Sequence, residues 1–156
     1  MNPQNLNDIS INTTSKQVFA VGNNGTAMYI NDITASSLVS FQVNMGALTN
    51  NFRGVFTHVK NQFDCVGDNN TLIGVGINFV PSPSPGSLTT IAIFRTNDIY
   101  GPAIQKAHFT NAANGYLVGD NGFIRHTNDG LTWQLIVPDL TPPVIDTLTP
   151  RRLQPY

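Results

Sequence analysis

Val18-Phe-Ala-Val-Gly-Asn-Asn-Gly25 returns along the chain as Phe63-Asp-Cys-Val-Gly-Asp-Asn-Asn70 and again as Tyr116-Leu-Val-Gly-Asp-Asn-Gly122. The shared glycines Gly22, Gly67 and Gly119 lie 45 and 52 residues apart, a period that belongs to stacked or radial β units. About 12 residues before each glycine runs a short alternating apolar stretch: Ile9-Ser-Ile11, Val55-Phe56 and Ala107-His-Phe109. A polar turn separates that stretch from the glycine-bearing strand (Thr13 to Lys16, Lys60-Asn61, Asn111 to Asn114), so the two strands pair as an antiparallel hairpin. A third strand follows the glycine turn, as Ala27-Met-Tyr-Ile30 and Phe123-Ile-Arg-His126. A fourth follows as Val39 to Val43 and Trp133 to Val137. Four strands per unit make a propeller blade.

The turn after the glycine needs left-handed backbone, which Gly25 and Gly122 supply without strain and the preceding Asn tolerates. Asn70 takes the glycine's place in the second repeat. Asp68-Asn69-Asn70 and Asp120-Asn121-Gly122 lack the alternating oxygen ligands and the closing acidic residue of a calcium loop, so no metal is expected there. The second repeat admits two frames between Asn70 and Ile104. In one, Asp98 corresponds to Asp129 and the run ending at Arg95 is the third strand. In the other, residues 88 to 95 are the fourth, and Gln105 to Phe109 remain free to open the next unit; the second frame is preferred. The Pro-Ser run from Pro81 to Gly86 is then a long loop or a lengthened hairpin.

Composition points the same way. All nine acidic residues are Asp, and with no Glu and few strong helix formers a helical fold has little support. A net charge of −1 gives no reason to expect nucleic acid as a partner. Charged residues are only 11% of the chain, which leaves solubility to Asn, Thr and Ser. Cys65 is the single cysteine and is expected to be a small buried residue. No run of 18 apolar residues suggests membrane insertion. Met1-Asn-Pro-Gln-Asn has no signal-peptide pattern, so the protein either is not exported by that route or begins after a processed leader; the compartment is left open.

A second echo, Ile30-Asn-Asp32, Thr96-Asn-Asp98 and Thr127-Asn-Asp129, closes apolar strands, and the last continues as Gly130-Leu-Thr-Trp133. In these residues the chain resembles the BNR or Asp-box repeats of sialidase-like propellers, and more closely the repeats of the photosystem II assembly factor family known as YCF48-like. Only the third repeat carries both the Val118 to Gly122 turn and the Thr127 to Trp133 box, which is one residue short at Gly130. The resemblance implies an all-β fold of about three antiparallel four-stranded blades, over about 8–46, 52–96 and 104–137. Residues 138–156 form a Pro-rich tail with one strand-like run, Val144 to Leu148. It also implies that Asp129 accepts hydrogen bonds within its turn while Trp133 packs between blades, so that Asp129, Trp133 and the glycines Gly22, Gly67 and Gly119 are structural.

Closed propellers use about four to eight blades, so three form an incomplete ring. Such an arc belongs to a longer propeller, joins a second copy in a six-bladed ring, or packs otherwise within an assembly. The tail could complete a blade of its own chain or of a neighbour by strand addition.

A sialidase would need a Tyr assisted by Glu and an arginine cluster, and this chain has no Glu. His58, His108 and His126 are widely spaced, and no nucleophile elbow or phosphate loop occurs. No catalytic residue, cofactor or metal is therefore assigned, and a non-catalytic module is expected. In a propeller the glycine turns gather on one face, so Asn23, Asn24, Asp68, Asn69, Asp120 and Asn121 should form a polar rim there. Arg53, Arg95 and Arg125 could supply its charge contacts to a protein partner. The expected function is protein binding or assembly by an oligomeric module whose partner is another protein or copies of itself. The alternatives are a structural subunit of a larger assembly, such as a virus or phage particle, and a glycan-binding or sialidase-like propeller fragment.

Overall fold

Each repeat folds into one antiparallel meander, and each meander is one sheet. A computed structural model describes residues 4–57, 59–78, 89–95, 101–111 and 113–137, with backbone alone for 89–95. The first sheet runs β1 (Leu6–Asn12), β2 (Gln17–Gly22), β3 (Ala27–Ile30), β4 (Ser40–Gln42). The second runs β5 (Phe52–Phe56), β6 (Gln62–Gly67), β7 (Thr71–Asn78), β8 (Thr89–Arg95). The third runs β9 (Ile104–Phe109), β10 (Gly115–Gly119), β11 (Ile124–Thr127), β12 (Gln134–Leu135). Apart from one 3-10 turn at Asp120–Gly122, every described element is a strand. The fold is all-β, built of three propeller blades that do not close a ring. Because β8 pairs with β7, residues 89–95 are the fourth strand of their blade, as in the preferred frame. The Pro-Ser run and the tail from Pro138 onward lie outside the described residues. No helix among the described residues is long and apolar enough to cross a membrane.

The first strand of each blade is innermost. Asp8 and Ser10 of β1 accept from Val55 N of β5 (2.9 Å) and from Thr57 N just beyond its end (3.2 Å), which satisfies backbone groups that no neighbouring strand pairs. Lys106 Nζ of β9 reaches Asp8 Oδ1 at 2.6 Å, so side chains tie the first and third blades across the second.

Alternation along each strand sends one set of side chains toward the preceding blade and the other toward the following one. Between the first two blades Phe19, Val21, Ala27 and Tyr29 meet Phe52, Val55, Phe63, Cys65 and Ile73 in one apolar cluster. Phe19 stacks on Phe63 with centroids 4.8 Å apart and lies 5.0 Å from Tyr29. Cys65 is fully buried there, and burial, with the Asp64 charge beside it, pushes its thiol pKa up. Gln17, also buried, donates to Tyr29 Oη (2.8 Å) and Asn61 Oδ1 (2.6 Å) and accepts from Asn61 N (2.8 Å), pinning the first blade to a turn of the second. Burial pushes the Tyr29 hydroxyl up to about 12 against the opposing hydrogen bond from Gln17.

Between the second and third blades a smaller cluster joins Val66 and Leu72 to Ile104 and Leu117, with Ala107, Phe123 and Trp133 against it. Phe56 stacks on Phe109 at 4.0 Å, and Trp133 meets Phe109 edge-on at 5.6 Å. Trp133 is thus a partly buried residue packed against the cluster between these two blades.

Asp64, on the same face of its blade as Val66, is raised to about 7 by burial. The folded state therefore holds a proton that the unfolded chain releases near pH 4. The stabilisation is complete below about pH 4, falls as pH rises and is lost above about pH 7, a span worth about 2–4 kcal/mol. Asp64→Asn should remove this slope. Urea unfolding of both proteins at about pH 4.5 and about pH 8 checks it: the variant should gain on the wild type at the higher pH, and an unchanged difference would contradict the buried carboxyl.

Candidate functional site

The glycine turns take the backbone that the sequence requires. Asn24 and Gly25 (φ 53° and 68°), Asn69 and Asn70 (55° and 53°), and Asn121 and Gly122 (58° and 72°) are paired left-handed residues. Gly22, Gly67 and Gly119 have a different role. A Cβ on them would lie 1.9 Å from Asn5 O, 2.1 Å from Asn51 O and 2.5 Å from Ala103 O. The same three carbonyls accept the amides of the next residues, Asn23 (3.0 Å), Asp68 (3.1 Å) and Asp120 (3.1 Å). Only glycine lets the inner strand approach this closely.

Beside that contact each inner strand carries a β-bulge, with register shifts between Leu6 and Asp8, between Phe52 and Gly54, and opposite Val118 and Gly119. One residue per blade, Asn7, Arg53 or Gln105, is left out of the ladder. A bulge re-aims the side chain it carries, and all three now bond the residue that follows their own blade's glycine. Asn7 Nδ2 donates to Asn23 Oδ1 (2.8 Å), Arg53 Nε to Asp68 Oδ1 (2.5 Å) and Gln105 Nε2 to Asp120 Oδ1 (2.7 Å). Two of these residues also cross to the next blade, Asn7 Nδ2 to Phe52 O (2.8 Å) and Arg53 Nη1 to Gln105 Oε1 (3.3 Å). Asn51 completes the network: its Nδ2 donates to Asp68 Oδ2 (3.0 Å) and its Oδ1 accepts from Asn24 N (3.2 Å).

The result is an open polar depression of about 340 Å³ lined by Asn7, Asn23, Asn51, Arg53 and Gln105. Its walls offer amide donors and acceptors and one guanidinium that is 41% exposed. Such a surface suits a hydrogen-bonding ligand with amide or anionic groups.

Of the residues expected at the rim, Asn23, Asn24, Asp68, Asp120 and Arg53 join this network, while Asn69 and Asn121 shape its turns. Arg125 is elsewhere: its register partners are Leu117 and Leu135, its Nε is buried, and its Cζ lies 5.1 Å from the Phe123 ring centroid. Alternation turns it toward the second blade, away from the axis. Arg95 sits on the outermost strand of its blade, paired with Ile73, four strands out from the axis, and its side chain lies outside the described residues. Asn7, Asn51 and Gln105 are additions to the expected set, since no feature of the sequence marks a bulge.

The Asp129 box stands apart from this depression. Asp129 accepts from Leu131 N (2.8 Å), Thr132 N (2.7 Å) and Thr132 Oγ1 (2.5 Å), and these bonds, Thr132's foremost, hold its carboxyl well below the usual range. Its bonding is thus within its own turn. Among the described residues no three His, Cys, Asp or Glu side chains group closely enough to hold a metal ion.

The sequence matches no protein-family model and no curated protein sequence. Among solved structures, YCF48 bound to D1 peptide aligns with 85% of this chain at a TM-score of 0.57 and 16% identity. The chain spans 40% of that protein's length. At this identity the likeness is one of fold: the chain is similar to YCF48-like propellers in its blades.

Proposed function

We propose that this chain is a non-catalytic protein-binding module that holds a segment of another protein in the depression at the blade axis. The observation that carries the reading is the threefold pairing of a bulge residue with a turn residue, Asn7 with Asn23, Arg53 with Asp68, Gln105 with Asp120. These pairs present preorganised donors and acceptors on one face, which lowers the ordering cost of binding. The similarity in fold to a propeller solved with a peptide bound supports the same direction. Both carboxylates at the site are engaged by donors, Asp68 by Arg53 and Asn51 and Asp120 by Gln105. They serve here as anchors for the recognition groups, with no role as acid or base.

Selection of a random linear peptide library on the immobilised full chain tests the reading. The enriched peptides should lose about 10–100-fold in affinity with Arg53→Ala, the range expected for a charge-assisted contact. Arg53→Lys should restore little, because an ammonium lacks the planar fork. Absence of enrichment, or binding indifferent to Arg53→Ala and Gln105→Ala, would overturn it, and so would hydrolysis of a fluorogenic sialoside or glycoside by the purified chain.

A further inference from the structure

The two outer blades each leave open a face that the other blades bury. On the side facing a preceding blade, Leu6, Phe52 and Ile104 are equivalent, each paired with its blade's repeat glycine. Phe52 is 0% and Ile104 2% exposed, but Leu6 is 54% exposed. Ile9 and Val55 are likewise equivalent, paired with Ala20 and Cys65, and are 63% and 6% exposed. On the side facing a following blade, the valine before each glycine is 0% exposed at Val21 and Val66 but 42% at Val118. Tyr116, on the same face as Val118, is 46% exposed.

We propose that these two faces are halves of one interface, and that a second copy of this chain completes it, the third blade of one copy docking on the first blade of the other. The chain already uses this contact twice: Phe19 and Val21 seat against Phe52 and Val55, and Val66 seats against Ile104. The first blade's open face continues the same pattern, with Ile9 and Ile11 63% and 50% exposed on one side of β1. A blade face left in solvent is ordinarily polar, whereas this one presents Leu6, Ile9 and Ile11, each at least half exposed. A head-to-tail contact whose rotation closes gives a ring, and two copies give six blades, inside the range of closed propellers. The contact is separate from the axial depression, so it stands or falls independently of peptide binding.

Light-scattering mass measurement on the full chain over a concentration series decides the matter. The expected result is twice the 16.9 kDa chain mass. Ile9→Glu combined with Ile11→Glu should give 16.9 kDa, and Val118→Glu on the opposite face should do the same. Leu131→Glu, at a residue 81% exposed in the connection between β11 and β12, should leave the dimer intact. Circular dichroism confirms folding. If a glutamate variant loses its β signal, Ile9→Thr with Ile11→Thr takes its place and should weaken dimerisation at least 10-fold. A wild-type monomer at all concentrations would overturn the proposal. So would a Val118→Glu protein that stays dimeric, since that requires two first blades to meet face to face, and so would open-ended polymerisation.

Discussion

Gly67→Ala should lower the unfolding free energy by about 3 kcal/mol or more, enough to leave a marginally stable domain largely unfolded. The added Cβ would stand 2.1 Å from Asn51 O and 3.0 Å from Phe52 Cα, and both of these atoms are backbone. No side chain can swing aside to make room. β5 would have to retreat, which breaks the Asp68 N to Asn51 O hydrogen bond of 3.1 Å and disturbs the Arg53 bulge. Gly122→Ala provides the contrast. It has φ +72° but nothing within 4 Å of where the added methyl would stand, so it should cost only about 1–2 kcal/mol of backbone strain. Urea midpoints of the two variants separate the causes: if Gly67→Ala is no worse than Gly122→Ala, close approach is not why the glycine repeats.

Phe19→Ala should cost about 3–5 kcal/mol, the range for emptying a buried aromatic site. Phe19 is 0% exposed and its ring touches both its own blade, through Tyr29, and the next, through Phe63. The cavity therefore falls on the contact between blades. Each blade is stabilised mainly by its neighbours, so the first blade should loosen before the rest. Hydrogen exchange should show β2 and β3 amides losing protection ahead of β10 and β11 amides, alongside a lower urea midpoint. Uniform loss of protection would point to a single cooperative core instead.

What the sequence made legible was local. Alternation and turn residues located the four-stranded units, and paired left-handed residues were foreseeable at Asn24-Gly25 and Asn121-Gly122 because few other residues accept that backbone. The fourth strands were expected over Val39 to Val43 and Trp133 to Val137 but form only at Ser40–Gln42 and Gln134–Leu135. The inner strands begin three residues before their apolar runs, at Leu6, Phe52 and Ile104. Those extra residues contain the bulge, and the bulge makes the site. Asn7, Arg53 and Gln105 are three different residue types, so no repeat search aligns them. Arg125 lies away from its expected place for a related reason: alternation tells which residues share a face, but which blade that face meets depends on how the sheets pack.

The bulges divide the labour of the chain in a way that bears on how its recognition can change. A residue outside the ladder contributes little to pairing the strands, while the glycine beside it fixes the backbone from which it projects. Positions 7, 53 and 105 already hold an amide, a guanidinium and a longer amide on one unchanged frame. Each blade thus carries one replaceable letter, and a new specificity can be written by exchanging letters without rewriting the scaffold that displays them.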